Sequence, residues 1–209
     1  MAGFLLKDFL YLKQQGKILI FLLVFYTAFF IFSPTEGLLS VLTALAVMMS
    51  AASVINTFAY DEAAKWDRFA FSLPVTRKQA VYSRYLFTLI LSLAVAVFAL
   101  IVAAAAGRGV LTAEDWVAVY ATFGVSLVLC SVLIPLVYRF GLQKARIVMV
   151  ILFMIPFLLA VLAQKLNLSG SMPGDAQVFL WLKLSPLVLT AIFAASVLLS
   201  CGIMEKKEV

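Results

Sequence analysis

Tyr60–Leu86, YDEAAKWDRFAFSLPVTRKQAVYSRYL, is the one long polar interruption in a chain otherwise suited to lipid. The chain has 16 basic and 10 acidic residues, and eight of these charges fall here: Asp61, Glu62, Lys65, Asp67, Arg68, Arg77, Lys78 and Arg84. The apolar runs on either side approach the roughly 20 residues that a helix needs to cross the hydrocarbon core. The segment therefore sits at one membrane face, and its charges and aromatic residues meet water or a soluble partner there.

Composition sets the fold class. Of 209 residues, 65% are hydrophobic and 12% charged, where a soluble domain carries roughly 25% charge. Mean hydropathy is +1.12. In lipid the backbone must satisfy its own polar groups, and long apolar runs do so as helices. The expectation is an all-α integral membrane protein. Histidine is absent. Cys130 falls in mid-span and Cys201 near a helix end, so neither a disulfide nor a metal site is expected. The net charge of +6 flanks apolar runs and reads as a topology signal, with no nucleic-acid partner. No cleavable leader is expected: Lys7, Asp8 and Lys13 precede the run Lys17–Phe32, which ends at Ser33-Pro34 without a small-residue cleavage pattern.

Six transmembrane helices are expected, at 17–33, 38–58, 85–106, 116–138, 147–163 and 186–203, in one transmembrane domain over 1–209. Pro34-Thr35-Glu36-Gly37 makes the first two an antiparallel hairpin. Residues 1–16 read as an interfacial helix on the cytoplasmic surface, with Leu5, Phe9 and Leu12 at helical spacing and Gly16 as the break; a frayed tail is the other reading. Thr76 and Gln79 fit a capping box, and Thr112 with Glu114 and Asp115 opens the fourth span. Ser185-Pro186 reads as the cap and first residue of the sixth, leaving 164–185 extracellular or interfacial, including Val178-Phe179-Leu180-Trp181-Leu182. Pro135 and Pro156 are candidate kinks in spans four and five. Both termini placed inside put 13 of the 16 lysines and arginines in the cytoplasm, leaving Arg108, Lys165 and Lys183 outside.

No Asp, Glu, Lys, Arg or His falls in the middle of a span, which weighs against a proton- or ion-coupled carrier. Hydroxyls such as Ser50, Ser92, Ser126 and Ser196 read as packing groups. HExxH, GxSxG and GxxxxGK[ST] patterns are absent, so no catalytic residue and no nucleotide site is expected in this chain.

The polar stretch itself reads as an elbow over 60–84. Asp61 and Glu62 suit the positive end of a short helix, Trp66, Phe69, Ala70 and Leu73 share one face, and Leu73-Pro74 stops it. An interfacial loop whose Trp and Phe touch headgroups is the alternative.

Tyr60-Asp61-Glu62, Lys65-Trp66-Asp67, Ser72-Leu73-Pro74-Val75-Thr76-Arg77 and the downstream Val81, Ser83, Arg84, Tyr85 and Leu86 resemble a block between the second and third spans of ABC-2 type permeases. The ending Ser196–Ile203 followed by Glu205-Lys206-Lys207-Glu208 is similar to that family's tail, and the order of parts matches along the chain. Arg84 departs from the pattern, standing where lysine is frequent, as does Ala80 where a larger aliphatic is common. The resemblance implies the ABC-2 exporter architecture, with the elbow as a cytoplasmic coupling helix seated in a separate ABC ATPase. Asp61, Glu62, Lys65, Trp66, Arg68, Phe69, Leu73, Pro74 and Arg77 are the coupling residues it suggests. It further implies two ATPase copies holding ATP and Mg, with no cofactor on this chain. A second permease subunit, identical or paralogous, and surrounding membrane lipid complete the partners, in a bacterial cell membrane. Ser53, Asn56 and Thr57 are candidates for a substrate path. Small permeases of this type often export peptides, as exporters of phenol-soluble modulins do, and a smooth apolar interior suits such amphipathic cargo. A non-transporting immunity or sensor module that binds a toxin or partner, and a facilitative channel, are the competing functions.

Overall fold

The computed structural model describes residues 2–32, 38–66, 70, 76–106, 112–165 and 175–206. Six long helices account for nearly all of them: α1 (Ala2–Phe32), α2 (Leu38–Ala63), α3 (Arg77–Ala106), α4 (Ala113–Phe140), α5 (Leu142–Lys165) and α6 (Asp175–Lys206). Among the described residues, Thr43–Ala63, Arg77–Ala104, Asp115–Phe140 and Lys183–Lys206 are long and apolar enough to cross a membrane. The expected span 147–163 falls within α5, and 17–33 within α1 up to Phe32, residue 33 lying outside the described residues; many side chains of both helices also lie outside the described set. The hairpin turn 34–37 lies outside it altogether.

The α4 helix is the centre of the bundle. It packs against α2, α3, α5 and α6, while α1 leans on α2 and α3. Val54 and Ile55 of α2, Val81 and Phe87 of α3, and Leu133 and Ile134 of α4 are almost fully buried in one core. That core lies toward the charged end of the molecule, where Ala145, Cys201 and Met204 close it. Deeper along the helices the contacts are hydroxyl-based. Ser50 of α2 and Ser92 of α3 reach Ser126 of α4 at 2.8 and 3.1 Å. Tyr85 of α3 bonds Ser196 and Ser200 of α6 at 2.5 and 2.7 Å. Each of these six hydroxyls finds a partner across a helix seam, where an unpaired polar group in hydrocarbon would be costly.

Three boundaries differ from the sequence reading. First, α1 runs unbroken from Ala2 to Phe32, so residues 1–16 are not a separate interfacial helix and Gly16 is not a break. A glycine inside a helix costs only about 1 kcal/mol. Packing outweighs it, because Leu5 and Leu12 face the protein core rather than a membrane surface. Second, α2 continues past residue 58 through Asp61 and Glu62, so these acids close α2 instead of opening an elbow helix. The helix ends where Ala64 N–H bonds Tyr60 O at 2.9 Å and Lys65 turns to φ +49°, the left-handed geometry of a helix stop. Third, α6 begins at Asp175 and carries Pro186 in its interior, so Ser185-Pro186 does not start it. Ser185 instead donates to the Tyr120 hydroxyl at 2.9 Å. Thr190 donates back to the Pro186 carbonyl at 3.0 Å.

Both capping boxes form. Thr76 N–H reaches Gln79 Oε1 and Gln79 N–H reaches Thr76 Oγ1, each at 3.4 Å. Thr112 and Asp115 exchange the corresponding bonds at 2.8 and 3.3 Å. Pro135 lies inside α4. Gly141, at φ +83°, supplies the sharp turn between α4 and α5 that a side chain would strain.

Candidate functional site

The charged end of the bundle holds four ionisable residues from three helices. Arg84, two turns into α3, places Nη1 2.8 Å from Asp8 of α1 and Nη2 against Asp61 at the end of α2. Lys7 pairs with the other oxygen of Asp61 and lies 3.6 Å from Asp8. Asp8 is 1% exposed, Arg84 6% and Asp61 8%. Two cations and two carboxylates sum to no net charge, which is the condition under which such groups are tolerated away from water. The guanidinium fork decides the geometry: its two ends serve two carboxylates at once, which the single ammonium of lysine does less well. The departure from the family pattern at Arg84 thus lies at the centre of the site.

Aromatic rings enclose the cluster. The Arg84 guanidinium stacks over Phe58 at 4.4 Å, and Lys7 Nζ lies 4.8 Å from the centre of Trp66 and 5.6 Å from that of Tyr11. Trp66 also meets Phe4 edge-on at 6.4 Å. A cavity of about 290 Å³ remains beside these groups, with Tyr138 and Met204 on its far wall. Burial and the neighbouring Arg84 lower the Lys7 ammonium from its ordinary value. Burial also raises the Asp8 carboxyl, outweighing the opposing pull of Arg84 and Lys7.

The proposed coupling residues divide. Asp61 is buried in the cluster and Trp66 is folded back on α1. Arg77 donates to the carbonyls of Met204 and Glu205 at 3.1 and 3.2 Å. Glu62 and Lys65 are exposed. Arg68, Phe69, Leu73 and Pro74 lie outside the described residues. From sequence, Lys7 and Asp8 read only as charges ahead of the first apolar run, and Arg84 only as a departure from the family block. The local signal for the first two is the adjacent pair Lys7-Asp8, one of each sign, which a surface helix explains equally well.

Among the described residues, the candidate path residues are engaged mainly with their own helix. Ser53 donates to Met49 O at 2.8 Å and Thr57 to Val54 O at 2.7 Å, both spent on their own helix. Asn56 is half-buried. Ser53 borders a cavity of only about 130 Å³ beside Ser50 and Leu91.

Long apolar helices, hydroxyl seams and one neutralised ion cluster at a bundle end define a multi-pass membrane protein. Residues 3–205 match the family model described as ABC-2 family transporter protein, and the chain belongs to that family. It is accordingly a membrane component of an ABC transporter, a class that works with an ABC ATPase partner. No curated protein matches the chain.

Proposed function

We propose that this chain is the permease subunit of an ATP-driven exporter in a bacterial cell membrane, with both termini cytoplasmic and six transmembrane helices. Two copies of a separate ATPase hydrolyse ATP, and two permease subunits enclose the path. The observation that carries this reading is the cluster at the root of the elbow. Asp61 and Trp66 are fastened to Lys7, Asp8 and Arg84, so a push on residues 60–84 reaches α1, α2 and α3 together. On this reading Asp61, Trp66 and Arg77 hold the elbow in place. Glu62 and Lys65, with Arg68, Phe69, Leu73 and Pro74, present its contact surface. The cargo is amphipathic, most simply a peptide, because the described spans offer apolar surface and hydroxyls already engaged with one another.

The test is reversal of the exposed pair, Glu62→Lys with Lys65→Glu. ATPase co-purification and cargo-stimulated hydrolysis in proteoliposomes should fall at least tenfold while thermal stability is unchanged. Retained ATPase binding would overturn the contact surface assigned to the elbow. ATPase binding without transport of any amphipathic peptide would favour the immunity or sensor function instead.

A further inference from the structure

On the flank of the charged end, α4 and α6 part to leave a groove of about 930 Å³ that the exporter mechanism does not use. Its lips are two cations, Arg139 at the end of α4 and Lys206 at the end of α6. Both are exposed, and neither meets a carboxylate among the described residues. Glu205, beside Lys206 in sequence, is held by Lys78 at 3.0 Å. The floor is apolar: Leu198, Leu199 and Ile203 line it, and Gly202 opens it. A Cβ built on Gly202 would meet nothing within 4 Å, so the trough is wide where that residue faces it. From Ala195 to Lys206 the trough follows α6 for about 16 Å at 1.5 Å per residue.

We propose that this groove holds one anionic phospholipid, its phosphate between Arg139 and Lys206 and one acyl chain along Leu198, Leu199, Gly202 and Ile203. Charge selects the occupant. A basic lip above an apolar trough, at the end of the helices where headgroups begin, matches an anionic lipid at both its parts. A second copy of this chain is a poorer match. It carries a net charge of +6, and of the described acids at this end Asp8, Asp61 and Glu205 are already paired with its own cations, leaving Glu62 alone exposed outside an ion pair. Zwitterionic lipid would leave the two cations facing the choline or ethanolamine as well as the phosphate.

Native mass spectrometry of the purified protein, titrated with phosphatidylglycerol or with phosphatidylcholine of the same chain length, tests the site. The wild type should retain one phosphatidylglycerol per chain in clear preference to phosphatidylcholine. Arg139→Gln with Lys206→Gln should weaken phosphatidylglycerol roughly 30-fold, since each cation near an anionic surface contributes about a factor of five, and should erase the preference. Gly202→Leu, whose Cβ has open space around it and whose side chain would occupy the trough, should remove the bound lipid. Unchanged phosphatidylglycerol binding in the double variant would overturn the proposal. So would inorganic phosphate competing as well as the lipid, which would mark a site for free phosphate. Loss of a dimeric species on Gly202→Leu would make the groove an interface between copies and also overturn it. Both charge substitutions lie on exposed side chains, so the comparison stands even if Gly202→Leu fails to fold.

Discussion

Arg77, the first residue of α3, closes the last turn of α6 by donating to the Met204 carbonyl at 3.1 Å. A cation at a helix C-terminus meets both the orphan carbonyls and the negative end of the dipole. Two turns deeper, Tyr85 bonds Ser196 and Ser200, so the same two helices are joined twice. The N-terminal half of α3 and the C-terminal half of α6 therefore form one unit.

Arg77→Ala should loosen the end of α6 at a cost of about 1 kcal/mol, seen as faster amide exchange over residues 200–206. Lys78→Ala, which breaks only the exposed pair with Glu205, should leave that exchange nearly unchanged, because exposed ion pairs contribute little.

Arg84→Ala leaves two buried carboxylates with only Lys7 to oppose them. The expected loss is about 3–5 kcal/mol, read as a lower unfolding midpoint in detergent. Arg84→Lys should recover part of it, because an ammonium retains the charge but not the two-ended fork. Equal stability for Arg84→Ala and the wild type would remove the cluster from the account of the fold.

The cluster also predicts a pH dependence with a definite sign. Burial raises the Asp8 carboxyl above its usual value near 3.8, so between those two values the folded protein holds a proton that the unfolded chain has lost. The stabilisation is complete below 3.8 and is lost as pH rises through the folded value. The unfolding midpoint of the wild type relative to Asp8→Asn should thus increase as pH falls from 7 toward 4. A relative midpoint that decreases on acidification would reverse the assigned shift.

A Cβ on Gly124 of α4 would lie 3.2 Å from Leu189 Cδ1 of α6. Gly124→Ala should be tolerated, since the leucine tip can yield by a few tenths of an ångström. Gly124→Leu should push the helices apart and cost about 1–3 kcal/mol. Thermal unfolding of the two variants side by side distinguishes these outcomes.

Features set by neighbouring residues were legible in the sequence. The capping box at Thr76 and the acidic helix start at Thr112 need only residues a few positions apart; both form, the second as a capping box with Asp115. Features set by packing were not. Gly16 carries a break signal of about 1 kcal/mol, too weak to stop α1 once Leu5 and Leu12 reach the core. Ser185-Pro186 suits a helix start and a helix interior alike, and the Tyr120 hydroxyl 65 positions away takes part in deciding between them. Asp8 and Arg84 are 76 positions apart, and no local pattern reveals that they meet. The separation of α2 from α3 was legible in the polar stretch between them, whereas the inward position of Asp61 depends on partners from two other helices.

The four-charge cluster also imposes an order on biosynthesis. Lys7 and Asp8 leave the ribosome first, Asp61 follows, and the guanidinium that joins both acids arrives only with α3. Until Arg84 emerges, Asp8 and Asp61 have one lysine between them, and docking α1 onto α2 would strand an excess carboxylate in a poorly hydrated place. Stable docking of α1 onto α2 is therefore expected only once the third helix is made, with the arrival of one arginine as the step that locks three helices.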